Sequence, residues 1–142
     1  MNIIYAESSA VLAWLLDEPK HRAVVDDLAR ADRVVTSALT LIECSRGLAR
    51  ARETKRIKPA EELAGLRLLD QAIASWDVMD ISDRVSERAR GAFPVEPVRT
   101  LDAIHLGTAL VCAEAVGSLR MLTLDDRVRE NAAELGLALL PE

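Results

Sequence analysis

The chain is poor in aromatic side chains: one Phe, one Tyr and two Trp make up 3% of its 142 residues. Its core must therefore be filled by Leu, Val, Ile and Ala, which suits helices packed on a buried sheet better than a β-sandwich. Cysteine is nearly as scarce. Cys44 and Cys112 lie in apolar surroundings without metal-type spacing, so they read as buried free thiols of a reducing compartment. No stretch reaches the roughly 18 consecutive apolar residues of a membrane span. The short apolar start has no basic segment before it, so no secretory signal is expected and a cytoplasmic protein is the default. The six glycines are scattered, with no P-loop and no G-x-G-x-x-G. Nucleotide binding by those routes is not expected. The two histidines, His21 and His105, stand too far apart in the chain to suggest a zinc site.

What the chain does have is aliphatic residues and unevenly placed charge. Half of it is hydrophobic, enough for the core of one domain over residues 1–142. The net charge of −5 argues against a general nucleic-acid binder. Between Arg46 and Lys58, however, Arg46, Arg50, Arg52, Lys55, Arg56 and Lys58 face a single acid, Glu53. That stretch carries +5, so the rest of a chain totalling −5 carries −10. The basic run is open to two readings: contacts to RNA phosphates, or a solvated helix end with cations favoured by the dipole.

Apolar runs and helical periodicity alternate along the chain. Asn2–Ala6 is expected as a buried strand, then a helix from Ala10 to Leu16 capped by Ser8 or Ser9 and stopped by Pro19. A helix from His21 to Ala31, a strand at Arg33–Thr36 and a helix opened by Ser37 and running to about Arg52 follow. Pro59 fits the first turn of a helix to about Ser75. Trp76–Ile81 reads as a third strand, Ser82 caps a helix to about Arg90, and the prolines between Phe93 and Val98 impose a loop. Thr100 is expected to cap a helix to about Ala115, followed by a strand at Leu119–Leu124. A helix from Asp126 to Leu135 ends at Gly136, and Ala138–Leu140 is a last strand. The alternation predicts a three-layer α/β/α fold with a mostly parallel central sheet of about five strands.

In such a sheet ligands bind outside the carboxyl ends of the strands. Glu7 directly follows the first strand and Asp125 the fourth. Glu43 falls within two turns of the helix after the second strand. Asp102 sits in the first turn of an otherwise apolar helix. Singly, each has a structural explanation as an acid near a helix start, and Thr40–Glu43 matches a capping box. Together, four acids at matching strand ends point to a site. Clustered carboxylates resist ionising together. A hard divalent ion, Mg²⁺ or Mn²⁺, removes the conflict and takes phosphate oxygens as further ligands. The chemistry that results is phosphodiester hydrolysis.

Four local patterns then meet a known family. Tyr5-Ala-Glu-Ser-Ser-Ala-Val-Leu, Thr36-Ser-Ala-Leu-Thr-Leu-Ile-Glu43, Arg99-Thr-Leu-Asp102-Ala-Ile-His-Leu and Leu122-Thr-Leu-Asp125-Asp-Arg-Val occur in that order across nearly the whole chain. They resemble the motifs of PIN-domain nucleases, particularly the VapC-type toxins of toxin–antitoxin pairs. The resemblance implies a Mg²⁺- or Mn²⁺-dependent endoribonuclease with metal ligands at Glu7, Glu43, Asp102 and Asp125. It also implies supporting hydroxyls at Ser9 and Thr123. A single-stranded RNA substrate, a homodimer and inhibition by a cognate antitoxin belong to the same implication. One residue departs from the pattern: Glu7 stands where the family usually has Asp, one methylene further out. Because Mg²⁺ demands near-ideal octahedral geometry, the alternative is a catalytically attenuated PIN-like module that binds RNA or protein.

His105 follows Asp102 by one helical turn. The acids suffice for a hard metal and the helix is apolar, so His105 reads as a packing or hydrogen-bonding residue. His21 is expected on the surface. Leu63, Leu66, Leu69 and Ile73 suit either the core or a dimer face. A receiver-like phosphoacceptor domain would need paired acids after the first strand and a late lysine, but only Glu7 follows the strand and no lysine lies beyond Lys58.

Overall fold

The computed structural model describes residues 1–142. Five strands and seven helices occur in the expected order: β1 (Ile3–Ala6), α1 (Ser8–Leu15), α2 (His21–Arg30), β2 (Arg33–Ser37), α3 (Ala38–Glu53), α4 (Pro59–Ile73), β3 (Asp77–Met79), α5 (Asp83–Ala89), α6 (Thr100–Val116), β4 (Arg120–Leu122), α7 (Asp126–Glu134) and β5 (Ala138–Leu140). The sheet is wholly parallel, in the order β3-β2-β1-β4-β5. From β1 the chain winds outward to β2 and β3, then crosses back to β4 on the other side of β1. The reversal makes a switch point between β1 and β4, where a crevice opens beyond the carboxyl ends.

Strand residues alternate between two helical layers. Ile3, Tyr5, Val35 and Met121 pack with Ala103 and Leu106 of α6 and Val128 and Ala132 of α7. Ile4 and Leu122 pack with Ala10 and Val24, and Ala6 and Val34 with Val11, Cys44 and Leu69, on the other face. Burial of each such aliphatic side chain is worth about 1.5–3 kcal/mol. Both cysteines are buried and free. No helix is long and apolar enough to cross a membrane.

Several boundaries differ from the sequence expectation. β3 and β4 are three residues each, because β3 is an exposed edge and the chain beyond Leu122 turns into the crevice. Neither Ser8 nor Ser9 caps α1. Glu7 does, curling its long side chain back to accept from the Ser9 amide at 3.0 Å. No capping box forms at Thr40–Glu43: Ser37 caps α3 from earlier in the chain, and the Thr40 hydroxyl accepts from Thr36 at 2.8 Å. Arg99, not Thr100, occupies the cap position of α6, and no side chain bonds there. Ser82 caps α5 as expected. Gly136, just past α7, takes φ +83°, the left-handed conformation its place requires. His21 is half-buried, with its Nδ1 against the Glu18 carbonyl. Of Leu63, Leu66, Leu69 and Ile73 in α4, only Leu69 is fully buried; Leu63 is half-exposed.

Candidate active site at the carboxyl edge of the sheet

Parallel strands followed by helices bring several helix N-termini to one edge, and helix N-termini favour anions. Glu7 caps α1, Asp125 caps α7 and Asp102 lies in the first turn of α6. Glu43 lies one turn further into α3. The edge is therefore electrostatically prepared for carboxylates before any ligand arrives.

Hydrogen bonds join all four acids into one network, in which Asp125 is linked to Glu7 through its backbone amide. Glu7 is nearly inaccessible, 3% exposed, and accepts four hydrogen bonds. Its Oε1 accepts from Ser8 Oγ at 2.9 Å. Its Oε2 accepts from the Ser9 amide, the Ser9 hydroxyl and Thr123 Oγ1, the last at 2.8 Å. Ser9 and Thr123 thus stand at the site as expected, but both hydroxyls are spent on Glu7. Thr123 Oγ1 also accepts from the Asp125 amide at 3.2 Å, and Ser9 Oγ from the Leu124 amide at 2.9 Å. These bonds lock the turn after β4 onto the turn after β1.

His105 links Glu7 to Glu43. Its ring is fully buried, with Nε2 2.5 Å from Glu43 Oε1, 3.3 Å from Ser8 Oγ and 3.9 Å from Glu7 Oε1. Nδ1 lies 2.8 Å from the Tyr5 hydroxyl. Burial, and next the charge of Glu7, hold the Tyr5 proton well above the usual phenol range, so the hydroxyl donates to Nδ1. A carboxylate only accepts, so Nε2–H donates to Glu43, and one neutral tautomer satisfies the whole chain. The hydrogen-bonding role expected for His105 holds.

Asp102 and Asp125 are joined by Arg99. Its Nε donates to Asp102 Oδ2 at 3.1 Å and its Nη2 to Asp125 Oδ2 at 3.3 Å. The hydrogen bond and charge of Asp102, followed by the charge of Asp125, raise its already high pKa. Asp125 Oδ1 caps α7 by accepting from the Val128 amide at 3.0 Å. Arg99 and Tyr5 had no individual role in the sequence reading, and Ser8 only that of a candidate cap. The one visible signal was the three-residue spacing of Arg99 and Asp102.

The site tests its fit to a divalent ion through its donors and through a stand-in cation. All four acids offer hard oxygens, the set that Mg²⁺ and Mn²⁺ prefer. The Arg99 guanidinium shows that Asp102 and Asp125 are close enough to share one positive group. With the side chains as they stand, no three His, Cys, Asp or Glu residues form a joint ligand set. The hard oxygens of Asp102 and Asp125 suit such an ion, while Glu7 bonds as the α1 cap and Glu43 bonds His105.

The basic run is only partly available. Arg52 is answered by Glu53 and Glu62 at 2.8 and 2.6 Å. Arg46, Arg50, Lys55 and Arg56 are exposed and make no ion pair. Arg46 and Arg50 follow Glu43 by three and seven residues, on the same side of α3.

The sequence profile of the PIN domain family matches residues 4–135. Ribonuclease VapC46 of Mycobacterium tuberculosis is 37% identical over 140 residues, covering 99% of this chain and 98% of that protein. Ribonuclease VapC35 of the same species is 32% identical over 140 residues, covering 97% and 96%. Among solved structures, Rickettsia felis VapBC2, bound to a DNA fragment from its promoter, superposes with a TM-score of 0.63 at 15% identity over 96% of each chain. M. tuberculosis VapC20, a sarcin–ricin loop cleaving toxin, gives 0.59 at 14% identity, covering 89% and 93%. At those identities the two structures speak for the fold alone.

Proposed function

The chain belongs to the PIN domain family, and from that membership we propose that it is a metal-dependent endoribonuclease, the VapC-type toxin of a toxin–antitoxin pair. The observation that carries this reading is the single hydrogen-bonded network joining Glu7, Glu43, Asp102 and Asp125 at the switch point of the sheet.

Asp102 and Asp125 would hold Mg²⁺ or Mn²⁺, with Glu43 and Glu7 adding negative charge to the same edge. Bound there, such an ion supplies a Lewis acid for the phosphodiester and an activated water. The protein's own residues set the stage. Tyr5 and His105 fix the Glu43 carboxylate. Ser8, Ser9 and Thr123 donate hydrogen bonds to the buried Glu7 carboxyl and fix its place. Arg46, Arg50, Lys55 and Arg56 line a path from Glu43 along α3, where RNA phosphates are gripped without base readout. A homodimer and a cognate antitoxin are part of the proposal; Leu63 and Leu68, 50% and 42% exposed on α4, leave apolar surface for a protein partner.

The test is cleavage of RNA by purified protein with Mg²⁺ or Mn²⁺. Activity that needs the ion and disappears in Asp102→Asn is the expected result. No cleavage at millimolar metal would remove the assignment.

The second reading, an attenuated binding module, turns on Glu7, whose carboxyl is taken up as the α1 cap. Glu7→Asp separates the two. Cleavage that appears only in the Asp variant supports the module. Equal cleavage by both forms ends it.

A further inference from the structure

We propose that Arg99 is a built-in counter-ion that holds the Asp102–Asp125 seat in the metal-free protein and is displaced when a divalent ion binds. The proposal rests on the metal reading above and adds to it a competitor carried by the chain itself. Three features of Arg99 support it.

The first is the contact itself: one guanidinium donates to one oxygen of each aspartate, at 3.1 and 3.3 Å. A cation already sits where the donor chemistry calls for a cation. The second is freedom of the side chain, which is 77% exposed although it bonds two acids. The third is a fixed backbone beneath that exposed side chain. Asn131, fully buried, clasps Val95 by accepting from its amide at 2.9 Å and donating to its carbonyl at 3.0 Å. Glu96 accepts from the amides of Phe93 and Val98, and Arg127 donates to the Pro97 carbonyl. The loop that delivers Arg99 therefore has no need to move.

Beside Arg99 lies an open cavity of about 640 Å³, lined by Pro97, Val98, Asp125, Asp126, Arg127 and Glu130. It gives the guanidinium a place to go, with Asp126 and Glu130 as new partners. A divalent ion and a guanidinium repel each other across two shared carboxylates, so each weakens the other's hold. The consequence is weaker metal binding than two free aspartates would give, and an arginine released toward the substrate cleft only when the ion is in place.

The experiment titrates Mn²⁺ alone into the whole chain and its variants, read by calorimetry and by electron paramagnetic resonance. Arg99→Gln is expected to bind Mn²⁺ about tenfold more tightly than the unmodified chain, and Arg99→Lys to restore part of the weaker binding. Equal or weaker binding by Arg99→Gln overturns the counter-ion role and leaves the metal reading standing. No binding by any form at millimolar Mn²⁺ overturns both. In the unmodified chain, the Arg99 Nε–H resonance is expected to shift in step with Mg²⁺ occupancy. A resonance that stays fixed while the ion binds also overturns the role.

Discussion

The two halves of the site are built in opposite ways. Glu7, His105, Tyr5 and Ser8 are buried, and every buried polar side-chain atom in the chain has a partner. Asp102 and Asp125 meet through an arginine that solvent surrounds. In the buried half, low dielectric makes each hydrogen bond strong and each missing one costly. In the more exposed half Asp102 is itself buried, only 7% exposed, but the arginine it shares with Asp125 is open to solvent, so water and salt screen the ionic contacts and they add little to stability. On the proposed reading the difference is a division of labour: one half would fix geometry and the other would exchange cations.

That division makes predictions of decreasing size. Asp102→Asn is expected to lower RNA cleavage at least about 100-fold, measured as initial rate in Mg²⁺, with circular dichroism unchanged. His105→Ala leaves the Tyr5 hydroxyl and Glu43 without their shared partner and opens a void. The expected cost is about 3 kcal/mol, or roughly 10 °C in melting temperature. Arg99→Ala, in the exposed half, is expected to leave the melting temperature where it was. Similar losses from the two variants would erase the contrast.

A smaller effect sharpens the contrast through pH. Burial, and next the charge of Glu43, raise the Cys44 pKa well above its ordinary value. A group whose folded pKa is raised contributes its stability fully below the unfolded pKa, and that stability is lost as pH rises beyond it. Stability is therefore expected to fall above about pH 8.5, where an unfolded thiol begins to ionise, by at most about 1.4 kcal/mol per pH unit. Urea midpoints between about pH 8 and about pH 10 measure the slope, and Cys44→Ala is expected to flatten it. The same burial predicts that Cys44 resists alkylation until the chain unfolds.

The order of strands and helices was legible because apolar periodicity changes cleanly between them. The convergence of Glu7, Glu43, Asp102 and Asp125 was legible because a parallel sheet sends its loops to one edge. The caps were not. Ser8 and Ser9 are better capping types than Glu7, and only the Ser9 and Thr123 hydroxyls explain why the longer side chain curls back. Nor was the wiring between the acids legible. Tyr5 and His105 meet across 100 residues and Arg99 and Asp125 across 26, distances over which local patterns carry no information. The basic run was legible as charge, but the pairing of Arg52 with Glu62 depends on how α3 packs on α4.

The most direct test of a shared divalent ion is anomalous diffraction from a crystal soaked in Mn²⁺. The expected result is one strong peak bridging the Asp102 and Asp125 carboxylates, with the Arg99 guanidinium withdrawn from both. An edge without a peak at millimolar Mn²⁺, with Arg99 still bound to the two aspartates, would contradict the account.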